Sequence, residues 1–342
     1  MAGQNLLKCK TYNVHLFGRV ADFSGQPSCL YHRDNERVDE VIAHARQDNA
    51  HLLGFTEVWD TDMGVKIRKS LKKDYPYSAS YFANQDVRAS FENLRATCPS
   101  FIRPLTERIG DVVNYFVKSH YQVEPSRFWR GASLLIPENE LAAFFANFGN
   151  IPDILGSGLL LLSKHPIETS EFIPHRGKAD TDQFAQKGIL RANIRLPNSL
   201  LLSTFLTHLQ EGISPNAKYT RMRQIGHLLE LAQFTSHAIL MGDLNVETTD
   251  PDYDFMVEEF ASLGCYDTFS LINGGDRNDH YTYDPDNEIT RTLLNGRKSS
   301  EKRATLDYIW AKGFRRVVEW GVERLRGVSD HFPVSATILT NT

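Results

Sequence analysis

Several carboxylate, amide and imidazole side chains of this chain stand at the ends of short apolar runs. Asn13 closes the run that begins at Leu6, and Glu57 directly follows the run 52–56. Mg²⁺ prefers oxygen ligands of this kind and usually takes one or two carboxylates directly. We therefore expect Asn13 and Glu57 to serve a metal site.

Three more polar residues follow later apolar runs. His208 comes after 201–207, and Asp243 and Asn245 come after 238–241 in the string Gly-Asp-Leu-Asn. A histidine in such a place can donate a hydrogen bond to a phosphoryl oxygen. If the string is extended, Asp243 and Asn245 point to one side and can orient a water, hold a phosphate oxygen or coordinate a metal. The alternative is a turn built by Asx side chains.

The last polar set lies near the C-terminal end of the sequence and contains Asp307, Asp330 and His331. A general base needs a pKa near neutrality, which histidine supplies. Neighbouring residues of a strand point to opposite faces, so Asp307 rather than Asp330 is expected to orient His331. This assignment leaves Asp330 for the metal.

Bringing these residues together requires many short strands. Apolar runs and alternation predict strands over 6–14, 51–56, 159–163, 187–196, 200–207, 238–241, 306–311 and 334–339. Helical spacing predicts helices over 37–49 and 219–234. Strands and helices that alternate, with polar residues at the strand ends, indicate a layered α/β sandwich.

Residues 82–154 lack this rhythm and show helical spacing of apolar residues, so we interpret them as a helical insertion. The favoured interpretation is that its aromatic residues pack against the main domain, because the apolar face of a helix is usually core. The alternative is that some of them, among them Phe144, Phe145 and Phe148, contact a lipid surface.

Composition narrows the class of protein. With 342 residues, 41% apolar and 23% charged, the chain is long enough for one large α/β domain. The formal net charge of -4 argues against a general nucleic-acid binder. The four cysteines form no CxxC pair, which argues against a zinc site; reduced thiols are the simpler expectation, and disulfides stay open. No signal peptide or membrane-spanning run is seen, so we expect a cytoplasmic or peripheral membrane protein, with export by a non-classical route left open.

The ordered set of short motifs resembles the endonuclease/exonuclease/phosphatase superfamily of Mg²⁺-dependent phosphoesterases. The motifs are Tyr12-Asn13, Thr56-Glu57, Gly158-Leu159 with Ser163-Lys164, Thr207-His208-Leu209, Gly242-Asp243-Leu244-Asn245, Leu306-Asp307-Tyr308 and Ser329-Asp330-His331.

The resemblance implies a DNase I-like fold, a four-layer α/β sandwich of two packed mixed or antiparallel sheets flanked by helices. It implies one catalytic domain over 1–342 and Mg²⁺ as cofactor, with Mn²⁺ or Co²⁺ as substitutes. It gives Asn13 and Glu57 to the metal, Asp243 and Asn245 to phosphate and water, and the role of base to His331.

Three details resemble the neutral sphingomyelinases within that superfamily. They are Glu57-Val58-Trp59, the segment from Asp182 to Lys187-Gly188, and Thr282-Tyr283-Asp284-Pro285 with Asn287. In those enzymes the Asp and Lys are thought to switch the site between states, so the resemblance makes Asp182 and Lys187 catalytic. Lys187 would also bind substrate phosphate as a point charge, beside His208 and Asn245.

The expected reaction is hydrolysis of sphingomyelin to ceramide and phosphocholine by a water that His331 activates. The expected partner is a membrane lipid, sphingomyelin or a related phospholipid, and the expected state is a monomer. The alternative is a nuclease of the same fold, because Gly-Asp-Leu-Asn-Val also resembles abasic-site nucleases. The net charge and Glu-Val-Trp speak against that alternative, so no nucleic acid is expected. An inositol-phosphate phosphatase and a non-catalytic module of this fold fit the motifs less well.

Overall fold

A computed structural model describes most of the chain. It covers residues 6–16, 29–81, 156–179, 182, 185–274, 277, 279–289, 302–314 and 316–340, with the backbone alone for 29–32. The insertion predicted at 82–154 lies outside the described residues.

The first of two six-stranded sheets has β1 (Leu6–Leu16) and β2 (Leu52–Val58) at its centre. These two strands are parallel, and the other neighbouring strands pair antiparallel. The outer strands are β3 (Tyr77–Tyr81), β4 (Leu159–Ser163), β11 (Arg316–Val322) and β12 (Val334–Leu339), which gives the order β11-β12-β1-β2-β4-β3.

The second sheet repeats this plan with β7 (Leu201–His208) and β8 (Ala238–Asp243) at its centre. This central pair is again parallel, and the remaining pairs are antiparallel. Its outer strands are β5 (Ile167–Pro174), β6 (Gly188–Arg195), β9 (Cys265–Asp267) and β10 (Asp307–Lys312), in the order β5-β6-β7-β8-β10-β9. Each sheet is therefore mixed.

Helices cover the outer faces of the two sheets. The helices α1 (Cys29–Gln47) and α2 (Thr61–Ser70) share a buried apolar cluster with the first sheet. The helices α3 (Pro215–Ala232) and α4 (Pro251–Ser262) share another with the second sheet, and α5 (Ser270–Asn273) is a single short turn. A third cluster fills the space between the sheets. The predicted four-layer sandwich is confirmed.

Most predicted elements are found with shifted ends. The helix predicted from Tyr219 begins at Pro215, because the Ser214 hydroxyl accepts a hydrogen bond from the Ala217 amide and caps the helix. A cap is a local signal that the apolar spacing used for the prediction does not contain.

Cys9 and Cys265 are buried free thiols. Among the described residues, no helix is both long enough and apolar enough to cross a membrane.

Candidate active site

Strand alternation gathers four of the predicted site residues between the two sheets. Successive side chains of a strand point to opposite faces. In each of the four strands, a residue an even number of positions away belongs to the cluster between the sheets: Cys9, Leu206, Met241 and Ile309. The four residues are Asn13 on β1, His208 on β7, Asp243 on β8 and Asp307 on β10. The ladder sets His208 and Asp307 opposite Asp243 on its two sides.

Glu57 joins this group by departing from strand alternation. Leu53 and Phe55 of the same strand face the outer cluster, so regular alternation would turn Glu57 outward as well. The backbone of Glu57 instead has a φ of 58°, in the left-handed region. The pairing of β1 with β2 also shifts between Asn13 and Leu16. A non-glycine residue held in this conformation costs about 1–3 kcal/mol and is typical of functional sites.

The Glu57 carboxylate is fixed by three side chains. Its Oε1 accepts a hydrogen bond from Asn13 Nδ2 at 2.8 Å, and its Oε2 lies 2.9 Å from His15 Nδ1 and 3.3 Å from Trp59 Nε1. Burial opposes ionisation of Glu57, but His15, His208 and Asn13 together hold its pKa well below the ordinary value. Glu57 is therefore an anion placed at one side of the site.

Asp243 is the carboxylate at the centre of the site. Its Oδ2 accepts from Asn13 Nδ2 at 2.9 Å and lies 3.8 Å from His208 Nε2 and 3.9 Å from His331 Nε2. Burial, and after it the neighbouring Asp307, raises the pKa of Asp243 to about 8. The charge of this carboxylate is poorly compensated within the described residues.

Gly242 permits the close approach of strands that puts Asp243 beside His208. Its φ is 136°, and a Cβ at this position would collide with the backbone oxygen of Thr207 on β7. The Gly-Asp part of the motif is thus a packing requirement of the parallel β7–β8 pair.

His208 is a neutral histidine without a hydrogen-bond partner in the described part of the chain. Both ring nitrogens are buried and unsatisfied, and Nε2 lies 3.7 Å from Glu57 Oε1. Burial, and after it the Lys187 ammonium, lowers the pKa of His208 to about 3. Since buried polar atoms are normally satisfied, these nitrogens indicate a place for a ligand.

His331, three residues before β12 of the first sheet, and Asp307, at the start of β10 in the second sheet, form a buried pair. Asp307 Oδ2 lies 2.7 Å from His331 Nδ1. The Thr282 hydroxyl accepts from the amide of Asp307 at 3.1 Å, and the Tyr283 ring lies 5.4 Å from the His331 ring. Burial disfavours the charged imidazole, but Asp307 and its hydrogen bond raise the pKa of His331 well above the ordinary value. Thr282 and Tyr283 belong to the Thr-Tyr-Asp-Pro segment that resembles the neutral sphingomyelinases. This segment thus helps to position Asp307 and His331.

Asp330 lies near the same ring nitrogen of His15 that Glu57 contacts. Its Oδ2 is 3.8 Å from His15 Nδ1, and its Oδ1 accepts from the Ser329 hydroxyl at 3.1 Å. Ser329 also donates to the Asn13 carbonyl at 2.7 Å. The His15 imidazole therefore links Asp330 to Glu57.

Lys187 and Asp182 form a buried ion pair at the edge of the site, with 3.3 Å between Nζ and Oδ1. Lys187 Nζ also donates to the Leu209 carbonyl at 3.1 Å and lies 5.9 Å from the centre of the Trp59 ring. Burial raises the pKa of Asp182, and Lys187 acts in the opposite direction.

Asn245 does not continue β8 as an extended residue, so the extended arrangement considered for Asp243 and Asn245 is wrong. Its φ is 53°, and its amide donates to Asp243 Oδ1 at 3.0 Å, which makes an Asx turn. Its side chain donates to the Leu209 carbonyl at 3.1 Å. The turn still brings Asn245 beside the same carbonyl that Lys187 contacts.

The donor set fits a hard divalent cation. One oxygen or nitrogen from each of Glu57, His208 and Asp243 lies within 4.8 Å of the others, and the same holds for Asp243, Asp307 and His331. Among the described residues, every ion pair of these three carboxylates is to a histidine. Buried carboxylates without a strong cation are costly unless a metal compensates them.

His15 is the site residue that the sequence analysis did not find. It is buried, and Asp330 and Glu57 raise its pKa against the effect of burial. His15 stands two positions after Asn13, but its φ of 47° departs from the extended conformation on which strand alternation depends, so its spacing is not a signal.

Comparison with solved structures gives several matches over nearly the whole chain. Sphingomyelinase C from Streptomyces griseocarneus has a TM-score of 0.64 and 17% sequence identity, with 97% of this chain and 99% of that chain covered. A variant of beta toxin from Staphylococcus aureus with bound magnesium ions has a TM-score of 0.63 and 17% identity, with 96% and 98% covered. Truncated TDP2 from Caenorhabditis elegans has a TM-score of 0.54 and 14% identity, with 98% of each chain covered.

A search among curated proteins found no match. The sequence profile of the Endonuclease/Exonuclease/phosphatase family matches residues 11–331, which include every residue of the site. The chain belongs to the Endonuclease/Exonuclease/phosphatase family.

Proposed function

We propose that this protein is a Mg²⁺-dependent phosphodiesterase that hydrolyses sphingomyelin to ceramide and phosphocholine. The observation that carries the proposal is the buried Lys187 ammonium, held by Asp182 and the Leu209 carbonyl near Trp59. This arrangement brings together Glu57-Val58-Trp59 and the segment from Asp182 to Lys187, two of the sequence details that resemble neutral sphingomyelinases. The likeness to solved sphingomyelinase and beta-toxin structures over 96–97% of the chain agrees with it.

Glu57, Asn13 and Asp330 serve the metal in this proposal, with Glu57 as the direct carboxylate ligand and Asp330 acting through His15. When bound, a cation held by these residues would supply positive charge that stabilises the charge developing on the phosphate and on the leaving oxygen. Mn²⁺ or Co²⁺ would substitute for Mg²⁺ at the same oxygen donors.

His331 is the proposed general base. Its Nδ1 faces Asp307, which fixes the tautomer that leaves Nε2 to take a proton from the attacking water. Asp243 lies 3.9 Å from that Nε2 and orients the water. Since the charges of Asp307 and Asp243 raise the pKa of His331, compensation of Asp243 by a cation favours the neutral imidazole that a base must be.

His208, Asn245 and Lys187 hold the phosphate in this proposal. Because the pKa of His208 is lowered to about 3, its ring is neutral at physiological pH and donates a hydrogen bond without adding charge. Lys187 adds the fixed charge, and Asp182 sets its position. Such donors stabilise charge that develops on the equatorial oxygens in the transition state.

The test is phosphocholine release from sphingomyelin vesicles with Mg²⁺, with EDTA and with His331→Ala, beside a plasmid-nicking assay on the same preparations. We expect release that needs Mg²⁺ and is lost in the variant, with intact plasmid. Plasmid cleavage without phosphocholine release would contradict the lipid assignment and favour the nuclease, leaving the metal site in place.

A further inference from the structure

The loop 209–214 connects the active site to an unusually exposed aliphatic side chain. It begins at Leu209, whose carbonyl accepts from Lys187 and Asn245. Four residues later, Ile213 is 89% exposed, the highest value among the large hydrophobic side chains of the described residues. Four residues of chain span at most about 14 Å, so Ile213 lies at the rim of the site.

The backbone on both sides of Ile213 is held in place. Arg221 donates to the carbonyls of Gln210 and Gly212 at 2.8 and 3.0 Å, and the Ser214 hydroxyl accepts from the Ala217 amide. The loop therefore presents Ile213 outward by its hydrogen bonding.

The first three turns of α3, which begins two residues after Ile213, carry exposed side chains of the kind found at a lipid–water interface. Tyr219 is 64% exposed, and the guanidinium of the exposed Arg223 lies 5.9 Å from the centre of its ring. Tyrosine favours such interfaces because its ring is apolar and its hydroxyl is polar. Arginine pairs well with phosphate, which is the anionic group of every phospholipid head.

We propose that Ile213 and Tyr219 insert into the surface of a phospholipid bilayer, with Arg223 at the level of the lipid phosphates, so that the active site faces its substrate. This inference rests on the proposed function, since a substrate anchored in a bilayer must be reached at the bilayer surface. A stable protein partner would cover about 800 Å² on each side, far more than two side chains offer, whereas a lipid surface accepts single apolar side chains.

Phe234, in the turn between α3 and β8, provides a matched control. It is 85% exposed, but it precedes β8, whose far end carries Asp243. The strand separates the two ends by about 17 Å. Phe234 is thus equally exposed and apolar but lies at the edge of the sheet away from the site.

The first experiment measures partition of the full chain onto phosphatidylcholine vesicles in EDTA, which prevents turnover. We expect Ile213→Ser to weaken partition about tenfold, the order expected for one aliphatic side chain kept in water. Ile213→Trp should strengthen it, and Phe234→Ser should leave it unchanged. Unchanged partition of both Ile213 variants, or an equal loss in Phe234→Ser, would overturn the proposal.

The second experiment compares two substrates in Mg²⁺. Ile213→Ser should slow hydrolysis of sphingomyelin in vesicles and leave hydrolysis of water-soluble p-nitrophenyl phosphocholine unchanged. An equal loss on both substrates would overturn the proposal, because Ile213 would then act within the site. If the wild type partitions through Ile213 but releases no phosphocholine, the bilayer contact stands and the proposed function is wrong.

Discussion

Two clusters of acids and histidines lie along the first strand, one partly buried and one buried, and their charges are compensated in different ways. On the outer face of the sheet, Lys10 Nζ pairs with Asp48 and lies 3.0 Å from His44 Nε2 and 2.7 Å from Glu323 Oε1. On the inner face, the acids around Asn13 have histidines as their ion-pair partners within the described residues. We call these the lysine cluster and the site cluster.

The pKa values show the consequence of this difference. In the lysine cluster, the hydrogen bond from His44 and then the contacts with Lys10 lower the pKa of Glu323 to about 2, against the effect of burial. In the site cluster, burial and Asp307 raise the pKa of Asp243 to about 8. The lysine cluster contains its own cation and is structural. The site cluster holds carboxylates whose charge is suited to a cation from solution.

The largest expected effect is a loss of enzymatic activity on substitution in the site cluster but not in the lysine cluster. His331→Ala should lower turnover by about 10²- to 10⁴-fold, the usual contribution of a general base. His44→Ala removes the matched histidine of the lysine cluster and should leave turnover within about twofold, because His44 lies on the outer face of the sheet. Phosphocholine release measures both, and an equal loss in the two variants would remove the functional distinction.

The next largest expected effect is a loss of stability on substitution in the lysine cluster. Lys10→Met should lower the free energy of unfolding by about 1.5–3 kcal/mol, because Asp48 and Glu323 lose a buried charged donor while Lys8, 2.9 Å from Asp48 Oδ1, still pairs with Asp48. Denaturant unfolding measures the change. Lys66→Met is the control, since Lys66 pairs with Asp39 at the surface and such pairs contribute about 0–1 kcal/mol. A loss in Lys10→Met no larger than in the control would contradict the structural role of the lysine cluster.

Sequence periodicity predicts a large part of the site for a physical reason. Asn13, His208, Asp243 and Asp307 follow the alternation of regular strands, and each lies on a strand with inward apolar residues: His208 and Asp243 end their strands, and Asp307 begins one. The parallel pairs at the centre of each sheet then bring their carboxyl ends to one edge. Predicting the positions of these residues requires only the two-residue period of a strand.

The rest of the site depends on backbone turns and distant contacts that the sequence pattern does not contain. Glu57 and Asn245 reach the site through positive φ values of 58° and 53°. The lysine cluster joins Lys10 to Glu323, which is 313 positions away. His15 escaped detection because it follows no apolar run and its partners, Glu57 and Asp330, are brought to it by the fold.

A smaller expected effect is a loss of metal affinity, which tests whether His15 supports the metal site. His15→Asn should weaken Mg²⁺ or Mn²⁺ binding by about 10- to 100-fold, because the ring orients the Glu57 carboxylate, and loss of such supporting contacts costs this much affinity. Calorimetric titration measures the affinity without turnover. His165→Asn is the control, since His165 stacks on His51 away from the site. Equal affinities in wild type and His15→Asn would make His15 a packing residue.

The smallest effect is a change in how stability depends on pH. The pKa of Asp243 rises from an ordinary 3.8 to about 8 on folding, so between these values the folded state holds a proton that the unfolded state has lost. Its contribution to stability is complete below pH 3.8 and is lost as the pH rises through about 8.

Asp243→Asn removes this dependence and keeps an acceptor for the Asn13 amide. In EDTA, we expect the variant to unfold at pH 8 with a higher free energy than the wild type. The same substitution should weaken the stabilisation by Mg²⁺, because it removes the charge of the carboxylate shared by both donor sets and leaves Glu57 in place. A variant less stable than the wild type at pH 8 would mean that the charge of Asp243 is compensated within the protein, as that of Glu323 is in the lysine cluster.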